Sequence, residues 1–218
     1  MEIEQIKAYL NSEDSQDRLK GLTELRNVET ELAVPLLLTK IKDKEFLVRS
    51  FVAMGLGRKR NSESFAALLE LIKCDRDPNV RAEAANSLSF YGQVAATHLL
   101  SLFIGDDHWL VRRSILAAMV DLNCPQELFE ICVCGIAGED FTVREASLEG
   151  LAFLGNTVKK EDALKQLLPL VDSEFWRLRV KVAIALGKFD DDRARDALER
   201  LRKDEDIRVV GAAMESLV

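Results

Sequence analysis

Seven arginines, Arg18, Arg49, Arg81, Arg112, Arg144, Arg179 and Arg208, stand 31, 32, 31, 32, 35 and 29 residues apart in a chain of 218. A period this regular limits the fold more than any other feature of the sequence. The segments around the arginines align: DKEFLVRSFVAMGLG from Asp43, DRDPNVRAEAANSLS from Asp75, DDHWLVRRSILAAMV from Asp106, EDFTVREASLEGLA from Glu139 and DSEFWRLRVKVAIALG from Asp172. Counted from each arginine, positions +3, +4 and +7 are apolar or small, as in Val52, Ala53 and Leu56 or Val182, Ala183 and Leu186, the spacing of one helix face. Upstream of each lies a second amphipathic stretch, such as FAALLELIK from Phe65 or ATHLLSLFI from Ala96. Each repeat therefore reads as a hairpin of an upstream helix A and an arginine-led helix B.

A lone hairpin cannot bury both of its apolar faces, so the repeats must stack on one another. The expectation is an all-α, right-handed solenoid of about seven HEAT-type hairpins in a single domain, with repeats near 1–28, 29–60, 61–92, 93–123, 124–156, 157–189 and 190–218. Only four prolines interrupt the chain, and its apolar character comes largely from the helix formers Leu and Ala. The end repeats are atypical: Asp17 precedes the first arginine, Asp190 to Asp206 is dense in charge, and Glu215 stands at +7 from Arg208 where other repeats are apolar. The recurring Asp43, Asp75, Asp106 and Asp172 are expected to cap the amides of helix B. Arg49, Arg81, Arg112, Arg144 and Arg179 are expected to form a structural ladder, each reaching a carboxylate or carbonyl of a neighbouring repeat.

Several function classes are set aside by what the sequence lacks. A net charge of -7 argues against a nucleic-acid groove, which needs clustered cations. No apolar run approaches the ~20 residues of a membrane span and the amino terminus does not resemble a secretory signal, so a cytoplasmic location is expected. Cys74, Cys124, Cys132 and Cys134 have no zinc-like spacing and are expected to be buried, reduced thiols. His98 and His108 are the only histidines; neither precedes Glu, so the repeated His-Glu pairs that mark the metal site of the HEAT-built deoxyhypusine hydroxylases are missing. No nucleophile elbow or phosphate-binding loop occurs, and the acidic clusters Asp106–Asp107 and Asp190–Asp192 sit where turns and caps expect carboxylates. No catalytic residue, metal or resident cofactor is therefore assigned.

Two surfaces stand out as partner-binding candidates. Three residues before the arginine the repeats carry Phe46, Pro78, Trp109, Phe141 and Trp176, so four of five equivalent turns present a large aromatic. With His108, this row is a candidate anchor strip for another protein, its alternative role being to staple each turn to the next hairpin. The outward side of the B helices, expected to be concave, offers Phe51, Met54 and Ile184 among charged residues such as Glu83, Arg113 and Lys181. Of the two histidines, His98 is expected to face neighbouring helices and His108 to be the exposed one.

The short period, the D-x-x-W-x-V-R pattern from Asp106 to Arg112 and the Val182-Ala-Ile-Ala-Leu-Gly187 ending resemble the HEAT-like repeats of the phycobilisome lyase family. That family includes the E/F-type phycocyanobilin lyase subunits and the related non-bleaching proteins of phycobilisome degradation. The resemblance covers nearly the whole chain. It implies an adaptor that grips a phycobiliprotein or, as the alternative, one subunit of a bilin lyase, with a bilin in its groove and a second HEAT-repeat subunit as partner. A general HEAT scaffold with an unrelated partner is the remaining reading. No family motif carries catalytic residues onto positions of this chain.

Overall fold

The computed structural model describes residues 2–217, and these residues form fourteen α-helices joined by short turns, with no strand among them. In chain order they are α1 (Ile3–Leu10), α2 (Ser15–Glu24), α3 (Thr30–Leu38), α4 (Phe46–Arg58), α5 (Ser62–Cys74), α6 (Pro78–Ser89), α7 (Ala96–Gly105), α8 (Trp109–Asp121), α9 (Pro125–Ala137), α10 (Phe141–Ala152), α11 (Lys160–Leu167), α12 (Trp176–Leu186), α13 (Asp192–Leu201) and α14 (Ile207–Ser216). Odd-numbered helices are the A helices and even-numbered ones the B helices, giving the helical-hairpin architecture of an α-solenoid. The chain packs as two compact units, divided between Ala118 and Met119 within α8.

In the first unit α2, α4 and α6 pack side by side, each also contacting the A helix of its own hairpin. The reason lies in the +3, +4 and +7 positions: Val52, Ala53, Leu56, Ala84, Ala85 and Leu88 are all fully buried. Small alanines at +4, Ala53 and Ala85, let successive B helices approach closely, and the valines before Arg49 and Arg81, Val48 and Val80, fill the seam. In the second unit α10, α12 and α14 stack in the same manner, over Val143, Leu148, Leu151, Val182, Leu186 and Ala213.

Helix starts are set by a residue that the repeat alignment does not single out. Asp14, Asp77, Asp140 and Asp206 are the side-chain N-caps of B helices, accepting from the amides of Gln16, Asn79, Val143 and Arg208 at 2.9 Å. His108 takes this place before α8, its Nδ1 accepting the Leu110 amide at 3.2 Å. The aspartates expected as caps, Asp43, Asp75 and Asp106, lie two residues further upstream and accept instead from the amides of Glu45, Asp77 and His108. Aligning the repeats on these helix starts also corrects the last register. Val210, not Arg208, occupies the ladder position of α14, which returns buried Ala213 and half-buried Leu217 to the +3 and +7 positions and removes the misfit of Glu215.

One glycine is required by close approach. A Cβ on Gly155 would stand 2.4 Å from the carbonyl oxygen of Lys188, a backbone atom that cannot rotate away. Gly155→Ala is expected to destabilise the second unit by about 1–3 kcal/mol, as overpacking of a tight site does, and urea unfolding checks this.

Candidate functional site

The turns between helices A and B carry the ladder. Arg49 donates from Nε to Asp75 Oδ2 at 2.6 Å and from Nη2 to Oδ1 at 2.9 Å, while its Nη1 donates at 2.8 Å to the carbonyl of Asp43 in its own turn. Arg81 and Asp106 make the same fork at 2.6 and 3.2 Å, with Arg81 Nη1 on the Asp75 carbonyl at 2.9 Å. Arg179 pairs with Asp204 at 2.7 and 2.9 Å and holds the carbonyl of Ser173 at 2.7 Å. Arg18 reaches Asp43 with Nη2 at 2.9 Å and binds the carbonyls of Ser12 and Glu13. Each arginine thus ties its own turn to the next one. Arg112 bonds the Asp106 carbonyl through Nε at 2.5 Å, and its guanidinium lies 5.3 Å from the centre of the Phe103 ring.

Asp172 does not belong to this series. It is exposed and pairs with Arg200 at 2.7 Å; the position three residues before the helix start, filled by aspartate before α4, α6, α8 and α14 and by Gly138 before α10, is here Ser173, whose Oγ accepts the Phe175 amide at 3.3 Å. Arg144, which would reach that position, has a buried Nε with no hydrogen-bond partner, and its guanidinium lies 5.9 Å from the centre of the Phe175 ring.

The aromatic row occupies the first helical position of α4, α8, α10 and α12, but its members meet different surroundings. Phe46 and Trp109 are 44% and 42% exposed, and Trp109 stacks beside His108 with ring centres 6.0 Å apart. Trp176 is half-buried beneath the Arg208 guanidinium, 3.2 Å from its ring centre. Phe141, also half-buried, packs edge-on at 6.0 Å against Phe175, a ring the repeat alignment passes over and which is 53% exposed. His108 is half-buried and engaged as a helix cap, whereas His98 is the exposed histidine, edge-on to Phe65 at 5.5 Å, the reverse of the sequence expectation.

The outward side of the B helices contributes a cleft in the first unit. Phe51 and Met54 of α4, with Leu22, Leu25 and Leu37, line an open, mainly apolar cleft of about 210 Å³. The exposed Arg26 and Arg58 stand on its rim, beside Lys59, whose Nζ is held by the carbonyls of Arg26 and Val28. Ile184, 44% exposed, lies on α12 in the second unit and takes no part in this cleft.

Potential reactive groups are otherwise engaged or dispersed. Asp106 serves a rung and Asp191 caps α13 while holding Arg193. Of the cysteines only Cys132 is buried, its thiol pushed well above the usual range by burial; Cys74 is exposed and Cys124 and Cys134 are half-buried, contrary to the expectation of four buried thiols. Among the described residues no group of three or more His, Cys, Asp or Glu side chains is placed to hold a metal ion. No helix among them is long and apolar enough to cross a membrane.

A profile of HEAT repeats matches residues 34–120 and 135–218. The chain belongs to the HEAT repeat family. This HEAT protein is 31% identical over 121 residues to deoxyhypusine hydroxylase of Drosophila melanogaster, a match that takes in 54% of the chain and 40% of that relative, so it spans well under half of the enzyme's length. Among solved structures, YibA of E. coli superposes with a TM-score of 0.61 at 16% identity, covering all of this chain and 92% of the other. The CpcE–CpcF complex of phycocyanin lyase from Nostoc sp. PCC7120 gives a TM-score of 0.55 at 20% identity, covering all of this chain and 95% of that one. At these identities the likenesses establish the fold that the HEAT protein shares with them. Among the described residues the two histidines stand apart from any cluster of donors, His98 on α7 and His108 as the cap before α8.

Proposed function

We propose that this HEAT protein is a protein-binding adaptor, and that the cleft holding Phe51 and Met54 receives a side chain of its partner. The observation that carries this reading is an open apolar cleft with two exposed arginines on its rim. An apolar anchor seated in a hollow and surrounded by charge is the usual anatomy of a protein-binding hot spot. The cationic rim favours a partner segment in which acidic residues flank a large apolar one. At about 210 Å³ the cleft is smaller than the ~300–1,000 Å³ typical of small-molecule sites, which weighs against an enclosed open-chain tetrapyrrole.

The finer reading makes the partner a phycobiliprotein. It is supported by the resemblance of the Asp106–Arg112 segment to the phycobilisome lyase family and by the fold shared with CpcE–CpcF. The test is a titration of the immobilised chain with purified phycocyanin, beside a Met54→Glu variant whose helicity is intact. Binding of the wild type, weakened at least about tenfold in the variant, is the expected result, since a carboxylate on the cleft floor, four residues from Arg58, removes the apolar seat and offsets the rim charge, and a factor of ten requires only ~1.4 kcal/mol. Failure of the wild type to bind removes phycocyanin as partner. Binding that the variant leaves unchanged removes the cleft. Covalent bilin transfer in the presence of a complementary HEAT subunit would replace the adaptor with a lyase subunit.

A further inference from the structure

The ladder contains its own specification of a ligand. Four arginines, Arg18, Arg49, Arg81 and Arg179, each grip the carboxylate of an aspartate that stands three residues before a helix start, in turns reading Asp43-Lys-Glu, Asp75-Arg-Asp, Asp106-Asp-His and Asp204-Glu-Asp. In each such turn the aspartate also accepts the amide two residues on, which fixes the carboxylate toward the arginine. At Arg144 the equivalent residue is Ser173, too short to present a carboxylate, and the nearby Asp172 points to Arg200. The Arg144 Nε is left buried without an acceptor, a costly state for a charged donor. Beside it stands Phe175, 53% exposed and backed by Phe141.

We propose that Arg144, with Phe175 and Phe141, is a docking site for an acidic turn of a partner protein, whose aspartate supplies the carboxylate that Ser173 does not. The incoming turn has the Asp-x-(Asp/Glu) form of three of this chain's own rungs, those at Asp43, Asp75 and Asp204. Its carboxylate takes the guanidinium fork, as Asp75 does at Arg49, and Phe175 rotates to cover the apolar residue that follows. The site lies within the second unit and is separate from the cleft of the first. It rests on reading the chain as a protein-binding repeat protein and is independent of what fills that cleft.

The probe is a blocked peptide carrying this chain's own rung sequence, residues 203–207, titrated into ¹⁵N-labelled full-length protein while the arginine Nε–H resonances are followed. The Arg144 resonance is expected to move and saturate with this peptide, and the peptide with Asp204→Asn is expected to bind at least about tenfold more weakly, because a charge-assisted fork becomes a neutral contact. A Ser173→Asp variant, which supplies the carboxylate internally, is expected to remain folded, to show the shifted Arg144 resonance without peptide and to lose peptide binding. An Arg144 signal that the intact peptide leaves unmoved, an equal response to the Asn peptide, or undiminished binding by Ser173→Asp overturns the proposal. Each of those results leaves the Met54→Glu test standing, so the two readings fail separately.

Discussion

Asp75→Ala is expected to lower the unfolding free energy by about 3–5 kcal/mol, because it strands the Arg49 guanidinium in a site where a buried charge has lost its partner. The side chains of Arg49 and Asp75 are 6% and 5% exposed and joined by two hydrogen bonds, and the only other anchors of Arg49 are carbonyls of its own turn. Urea unfolding measures the loss, and a drop within about 0.5 kcal/mol, the range of ordinary surface changes, would show that the rung is ornamental. The double variant Arg49→Met with Asp75→Ala is expected to recover part of the stability, since removing both charges removes the desolvation penalty as well. Acid gives the same answer from another side. Burial pushes the Asp75 carboxyl up, but the Arg49 hydrogen bonds, the Asp77 amide and nearby arginines outweigh it and hold it below its ordinary 3.8; Asp43 is held down in the same way, and Asp204 chiefly by Arg179. A carboxyl depressed in the folded state contributes stability above its ordinary value and loses it as the pH falls through the depressed one. The wild type should therefore lose stability below pH 3.8, and Asp75→Ala should lose less over the same interval.

Phe103→Ala is expected to cost a further class of stability, about 3–5 kcal/mol, through an unfilled cavity. Phe103 is the largest of the fully buried side chains of α7, and its ring lies under the Arg112 guanidinium. Its truncation removes the apolar burial and the face on which that cation rests. Thermal unfolding followed by circular dichroism checks it. Phe103→Leu, which keeps most of the volume, should recover the greater part of the loss.

The hairpins were readable because they depend on periodic burial, which any single repeat displays and seven repeats confirm. The registers were less so. Arg208 looks like a ladder arginine by spacing, yet it serves Asp206 and Trp176, and only the helix start at Ile207 reveals that Val210 stands in its place. Likewise Asp75 and Asp77 are both plausible caps in the sequence; which one caps depends on where the backbone turns into the helix. The doublets Asp75-x-Asp77 and Asp204-x-Asp206 were the available signal, since two carboxylates at that spacing imply two different tasks. The cleft was partly legible, because the outward positions of helix B pointed to Phe51 and Met54. Of its other walls, Leu22 and Leu25 stand at the +4 and +7 positions after Arg18 and read simply as core, while Leu37 lies on the A helix of the next hairpin; the hollow between them belongs to no single repeat. The weak point at Arg144 was hidden in a spacing of 35 residues and a serine beside an aspartate.

Where a rung is complete, each turn supplies one cation to the turn after it and one anion to the turn before. A whole hairpin duplicated within such a run brings both halves with it, so the count of unmatched buried charges stays unchanged and the array can grow by copying. A change of a few residues inside a repeat has no such protection, because it shifts one anion while leaving its cation fixed. Length in this architecture is therefore easily inherited in whole hairpins, and departures smaller than a hairpin are where new recognition can arise.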